Sequence, residues 1–144
     1  MADLSNDPFD LERFVQAQAV DYDQALSELR GGEKRSHWMW YIFPQIEGLW
    51  HSSMSRRYSI KSAAEAGAYL AHRILGSRLR ECAAVVNGIA GRSAHEIFGS
   101  PDDMKLRSSM TLFARVSGDN VFEQVLGKYF NGQHDSETLR LLGE

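Results

Sequence analysis

Apolar residues recur at helical spacing along most of this chain. Leu11, Phe14, Val15 and Gln18 share one face, and Asp7-Pro8 ahead of them reads as an N-cap followed by proline at the first helical position. A second amphipathic stretch, Tyr22 to Arg30, carries Leu26 and Leu29 and stops at Gly31-Gly32. Ser62 with Glu65 and Ser93 with Glu96 have the spacing of capping boxes. Ser100 with Asp103 is an aspartate variant, with Pro101 at the first helical position. Leu75, Leu79, Cys82, Val86 and Ile89 lie on one stripe of a helix of about fifteen residues. After Gly118, Asp119 is placed to cap a helix carrying Val121, Phe122, Val125 and Phe130, which ends at Gly132. Asp135 or Ser136 starts a last turn through Leu139 and Leu142.

One run breaks the regularity. Ser36-His37-Trp38-Met39-Trp40-Tyr41-Ile42-Phe43-Pro44-Gln45 holds two of the three tryptophans. Its aromatic content favours a strand. Its lack of alternation and its leading serine favour a short buried helix. No second convincing strand exists to pair with it, so its backbone groups are best satisfied in a helix. The segment from Pro44 to Ile60 reads as irregular, 17 residues with Gly48 and several serines, and loops of that length are often functional. The pattern therefore predicts an all-α fold, a compact orthogonal bundle of about seven or eight short helices. Residues 1–144 fit one domain, with 1–6 expected to be flexible.

Composition narrows the function classes. The chain is 43% hydrophobic and 24% charged with a net charge of −3, which does not suggest a nucleic-acid surface. The short basic clusters, Lys34-Arg35 among them, read as solvated faces. A lone cysteine excludes an internal disulfide and a cysteine-based zinc site. His51, His72, His95 and His134 lack metal-site spacing, so neither metal nor cofactor is expected. There is no signal-peptide pattern and no run long enough to span a membrane, and a cytoplasmic location is the expectation.

The helix after Pro101 carries the most suggestive polar pattern. On a wheel, Leu106, Met110, Leu112, Phe113 and Val116 form an apolar arc, with Arg107, Thr111 and Arg115 opposite. Asp102, Lys105 and Ser109 fall inside the arc. Charges pointed at a core must be paired or open to a cavity. Two readings follow. Asp102 and Lys105 are an i,i+3 pair near solvent with Ser109 bonded back to its own helix, or the stripe lines a pocket. His37 is either satisfied at a helix start or a general acid/base beside Trp38 and Trp40.

Together these residues carry a resemblance. Phe14 with Ala17-Gln18, the run 36–45, Tyr69-Leu70, Leu75-Gly76, Ile97-Phe98-Gly99 and the run from Asp103 to Phe113 resemble an uncharacterised bacterial family, domain of unknown function 1810, from about Phe9 to Leu142. The resemblance implies a mainly helical fold. The calpastatin-like label that such sequences often carry fits poorly, because an ordered, core-rich domain does not look like an extended inhibitor. Two positions depart from the expected pattern. Trp50 stands in place of glycine, which puts the loop shape in question, and Arg73 stands in place of proline, which softens a helix start. The pattern is more loosely similar to a superfamily associated with NAD and ADP-ribose metabolism, whose members cleave N-glycosidic bonds.

Two functions are therefore open. One is a pocket for a nucleotide-like or ADP-ribose-like ligand, with N-glycosyl hydrolysis as its chemistry if it is an enzyme. Asp102 or Asp103 would stabilise the reacting centre, and His37 would orient the substrate. Trp38, Trp40, Gln45, Lys105, Ser108 and Ser109 would bind it. This requires the run 36–45 to face the helix after Pro101. The other is a non-catalytic interaction module using the segment 44–60. Neither reading sets an oligomeric state.

Overall fold

The computed structural model describes residues 6–144, so the expectation for residues 1–6 falls almost wholly outside the described residues. The fold is all-α. The described residues form nine helices, α1 (Glu12–Arg30), α2 (Met39–Ile42), α3 (Ser53–Tyr58), α4 (Ala63–Ala71), α5 (Arg73–Gly88), α6 (Ala94–Phe98), α7 (Asp102–Val116), α8 (Asn120–Phe130) and α9 (Ser136–Leu141). Helix α7 packs against α4, α6, α8 and α9, while α5 packs on α1, α4 and α8. Their buried faces form one apolar cluster that includes Phe14, Trp38, Tyr69, Phe113 and Phe122.

The two stretches expected before Gly31 are one helix. Phe14, Gln18, Tyr22, Ala25, Leu26 and Leu29 form a continuous buried stripe along α1. Gln18 belongs to it because its amide donates to the Tyr41 carbonyl (2.7 Å) and the Tyr69 hydroxyl (2.9 Å). Asp7 does cap, but at a distance. Its carboxylate accepts from the N–H groups of Leu11 and Glu12, and Pro8 lies in a turn before the helix. The aromatic run does contain a short buried helix, α2.

The segment 44–60 is more ordered than its composition suggested. Ile46 and Ile60 form an isolated parallel bridge, with Glu47 N donating to Ile60 O and Ile60 N to Gln45 O, both at 2.8 Å. Within that closure lies α3, capped by Ser52, whose Oγ accepts from Ser55 N. The box at Ser93 and Glu96 is complete. Asp135 caps α9 through Thr138 N, while Asp119 gives its carboxylate to Arg80 and Ser117 instead of to α8. The start of α5 is not softened by Arg73, because His72 Nδ1 accepts from the N–H groups of Ile74 and Leu75.

Helices α4 and α5 approach closely at Gly76. A Cβ there would lie 2.1 Å from the Leu70 carbonyl oxygen and 2.8 Å from Arg80 Nη1. Gly76→Ala must push the helices apart, at a cost of about 1–3 kcal/mol. Chemical denaturation of the variant checks this, and an unchanged midpoint would contradict it.

Candidate functional site

The first wall of the site is built from a buried carboxylate. Glu28, near the end of α1, is 6% exposed. Its Oε1 accepts from Arg35 N (2.7 Å), Ser36 N (2.9 Å) and Trp38 Nε1 (2.9 Å). Its Oε2 accepts from Ser36 Oγ and Gln24 Nε2. Burial alone would raise its pKa, but the hydrogen bonds from Ser36, Arg35 and Gln24 prevail and hold it at about 2. This carboxylate gathers residues 35–38, and Lys34 just before them is held inward by the Ser36 carbonyl and by Asp102. Lys34 is 7% exposed at its side chain, so the Lys34-Arg35 cluster is not a solvated face at that position.

The second wall is the start of α7. The Ser100–Pro101 peptide is cis, and Ser100 does not cap. Asp103 N instead donates to the Gly99 carbonyl, and Met104 N to Asp103 Oδ1. Asp102 is thereby placed between two cations, with Lys34 Nζ 2.9 Å from Oδ2 and Lys105 Nζ 2.9 Å from Oδ1. Burial would raise the Asp102 pKa, but hydrogen bonds and charge from both lysines overcome this and lower it. Lys105 Nζ also lies 4.0 Å from the centre of the Trp40 ring and 5.3 Å from that of Trp50. Lys34, His37, Met39, Trp40, Asp102 and Lys105 enclose a cleft of about 80 Å³. The aromatic run and the late helix therefore face each other.

The family described as a protein of unknown function, DUF1810, has a model that matches residues 8–142. The chain belongs to the DUF1810 family. The crystal structure of the conserved hypothetical protein Rv1873 from Mycobacterium tuberculosis is similar, with 54% identity and a TM-score of 0.94 over 96% of this chain and 99% of that one. A comparison with curated proteins gave no match.

In this DUF1810 member the expected site residues divide. Trp40, Lys105 and Asp102 share the cleft, with the exposed His37 also lining it. Trp38 does not stack on a ligand, because it is fully buried, tilted against Phe43 and bonded to Glu28. Asp103 turns toward α6, with Oδ2 3.5 Å from His95 Nδ1. Ser108 is spent on the Met104 carbonyl and the Asp135 carboxylate. Ser109 is fully buried and makes no back-bond, its Oγ having no partner. Thr111, placed opposite the core by the wheel, is buried and accepts from Asp135 N at 2.8 Å. Gln45 is buried beside the cleft and accepts from Trp50 Nε1 at 2.7 Å. Glu28, Lys34 and Trp50 were not among the expected site residues. Only long-range packing brings Lys34 to Asp102, and no local motif marks it.

Proposed function

We propose that this protein binds a small ligand of the nucleotide-like or ADP-ribose-like class, holding its phosphate against Lys34 and Lys105. One observation carries the reading: two nearly buried lysines share a single carboxylate. Burying a cation is costly unless it is paired, and Asp102 neutralises only one of the two. Glu28 keeps its negative charge, but its oxygens are taken by backbone, hydroxyl, amide and indole donors and it pairs directly with neither lysine. An anionic group entering the cleft would complete the balance. At about 80 Å³ the cleft suits one such group, since whole ligands occupy roughly 300–1,000 Å³. The rest of the ligand lies outside it.

The geometry supports binding better than hydrolysis. Glycoside cleavage needs carboxyl groups free to donate, accept or attack. Both Asp102 oxygens are held by lysines, and Asp103 turns toward His95. Thermal shift with pyrophosphate, NAD and ADP-ribose tests the proposal. A ligand at a hundred times its Kd adds about 2.7 kcal/mol of stability. Lys105→Met should fold with unchanged or higher stability, because its stem already packs on indoles, and should lose the shift. No shift in the wild type with any of these ligands would favour the interaction-module reading.

A further inference from the structure

Trp40 lines two pockets. One is the lysine cleft, and the other is formed with Gln45, Trp50, Ser55, Arg56 and Tyr58. The two share Trp40, and the Lys105 ammonium of the first lies against the indoles of both Trp40 and Trp50. In the second pocket Gln45 is 4% exposed. The Trp50 indole N–H can only donate, so the amide oxygen of Gln45 must face it. That fixes the orientation of the amide. Its amino group, Nε2, is left buried with no hydrogen-bond partner. A buried amide donor is costly to leave unpaired, so a water or a ligand must supply its acceptor.

The space beside it is about 20 Å³, room for one water and too small for a ring. Trp50 is the wall able to yield. It is half-buried, it lies outside any helix, and it meets Trp40 edge-on with ring centres 6.1 Å apart. A pivot of its ring that keeps the indole N–H on Gln45 Oε1 would open the Trp40 ring, with Gln45 Nε2 at one edge and Lys105 at the corner.

We propose that the Trp40–Trp50–Gln45 pocket is the second compartment of the ligand site and receives a planar ring bearing a hydrogen-bond acceptor. Gln45 Nε2 donates to the ring's carbonyl oxygen or imine nitrogen. Trp40 stacks on its face, and the phosphate of the same ligand reaches Lys34 and Lys105. This inference rests on the anion-binding reading above and adds to it what the ligand must carry beyond its charge.

The test compares the 5′-mononucleotides of adenine, guanine and nicotinamide with ribose 5-phosphate, using tryptophan fluorescence and thermal shift. At least one mononucleotide should bind the wild type about tenfold more tightly than ribose 5-phosphate. Gln45→Met should erase that preference and leave ribose 5-phosphate binding unchanged. Gln45→Glu, which keeps an acceptor for the Trp50 N–H, replaces it if the methionine variant does not fold. Equal binding of all four compounds, or a preference that survives in whichever Gln45 variant folds, overturns the second compartment. The anion reading then still stands if Lys105→Met abolishes binding. Binding of none of the four overturns both.

Discussion

Glu28→Gln is expected to lower the unfolding free energy by about 3 kcal/mol at neutral pH. The carboxylate accepts from five donors, two of them backbone N–H groups and one the indole of the fully buried Trp38. An amide at this position turns one acceptor into a donor, and it must face donors. The sign of the pH dependence follows from the pKa, which falls from an ordinary 4.5 to about 2. The Glu28 contribution is fully present above the unfolded value and is lost as pH falls toward the folded one. The gap between wild type and variant should therefore be widest near neutrality and close progressively below about pH 4.5. Guanidinium denaturation of both proteins at several pH values measures this. A gap that stays constant down to pH 2 would show that Glu28 acts through packing and not through its charge. Because the same carboxylate holds Ser36, whose carbonyl accepts from Lys34, the variant should also bind anions more weakly than its stability loss alone explains.

The helices were legible where local signals agree. Ser93 and Glu96 cap each other as their spacing demands, and the stripe from Leu75 to Val86 is buried along α5. Misreadings arose where a polar residue was recruited by a distant partner. The two stretches read separately before Gly31 are one helix, because Gln18 stays inside with its amide nitrogen donating to Tyr41 and Tyr69. Ser100 had the spacing of a cap, but the cap position falls on Pro101 and Asp103 N donates to the Gly99 carbonyl instead. Helix α3 escaped because Ser52 caps it without an acidic return residue, and because its segment is closed by a bridge between Ile46 and Ile60.

The candidate site was half legible for the same reason. A wheel finds Lys105 and Asp102 on the inward side of α7, since that is a property of one helix. It cannot find Lys34, which reaches Asp102 from the other side of the cleft. Nor could density of aromatic rings separate Trp38 from Trp40. The two are neighbours in one run, but Trp38 is bonded inward to Glu28 while Trp40 is half-buried against Lys105.

Arg13→Met should be as destabilising as the loss of Glu28, by about 3–5 kcal/mol, for a different reason. Arg13 pairs with Glu65 at 2.7 Å, the two side chains being 9% and 2% exposed. Removing the guanidinium strands a carboxylate in the interior. An isolated buried pair can often be replaced by apolar residues at little cost, so a second variant decides what the arginine does. Its guanidinium also donates to the carbonyls of Phe9, Asp10, Arg57 and Ser59. These bonds tie the start of α1 to the end of α3 and leave four acceptors that no change at Glu65 can satisfy. Arg13→Met combined with Glu65→Leu should therefore recover only part of the loss, with residual damage at α3 visible as faster amide exchange over Ser53–Tyr58. Full recovery in the double variant would reduce Arg13 to a counter-ion. Partial recovery makes it the clasp of the segment 44–60, which carries Gln45 and Trp50, so that anion affinity and α3 protection should fall together.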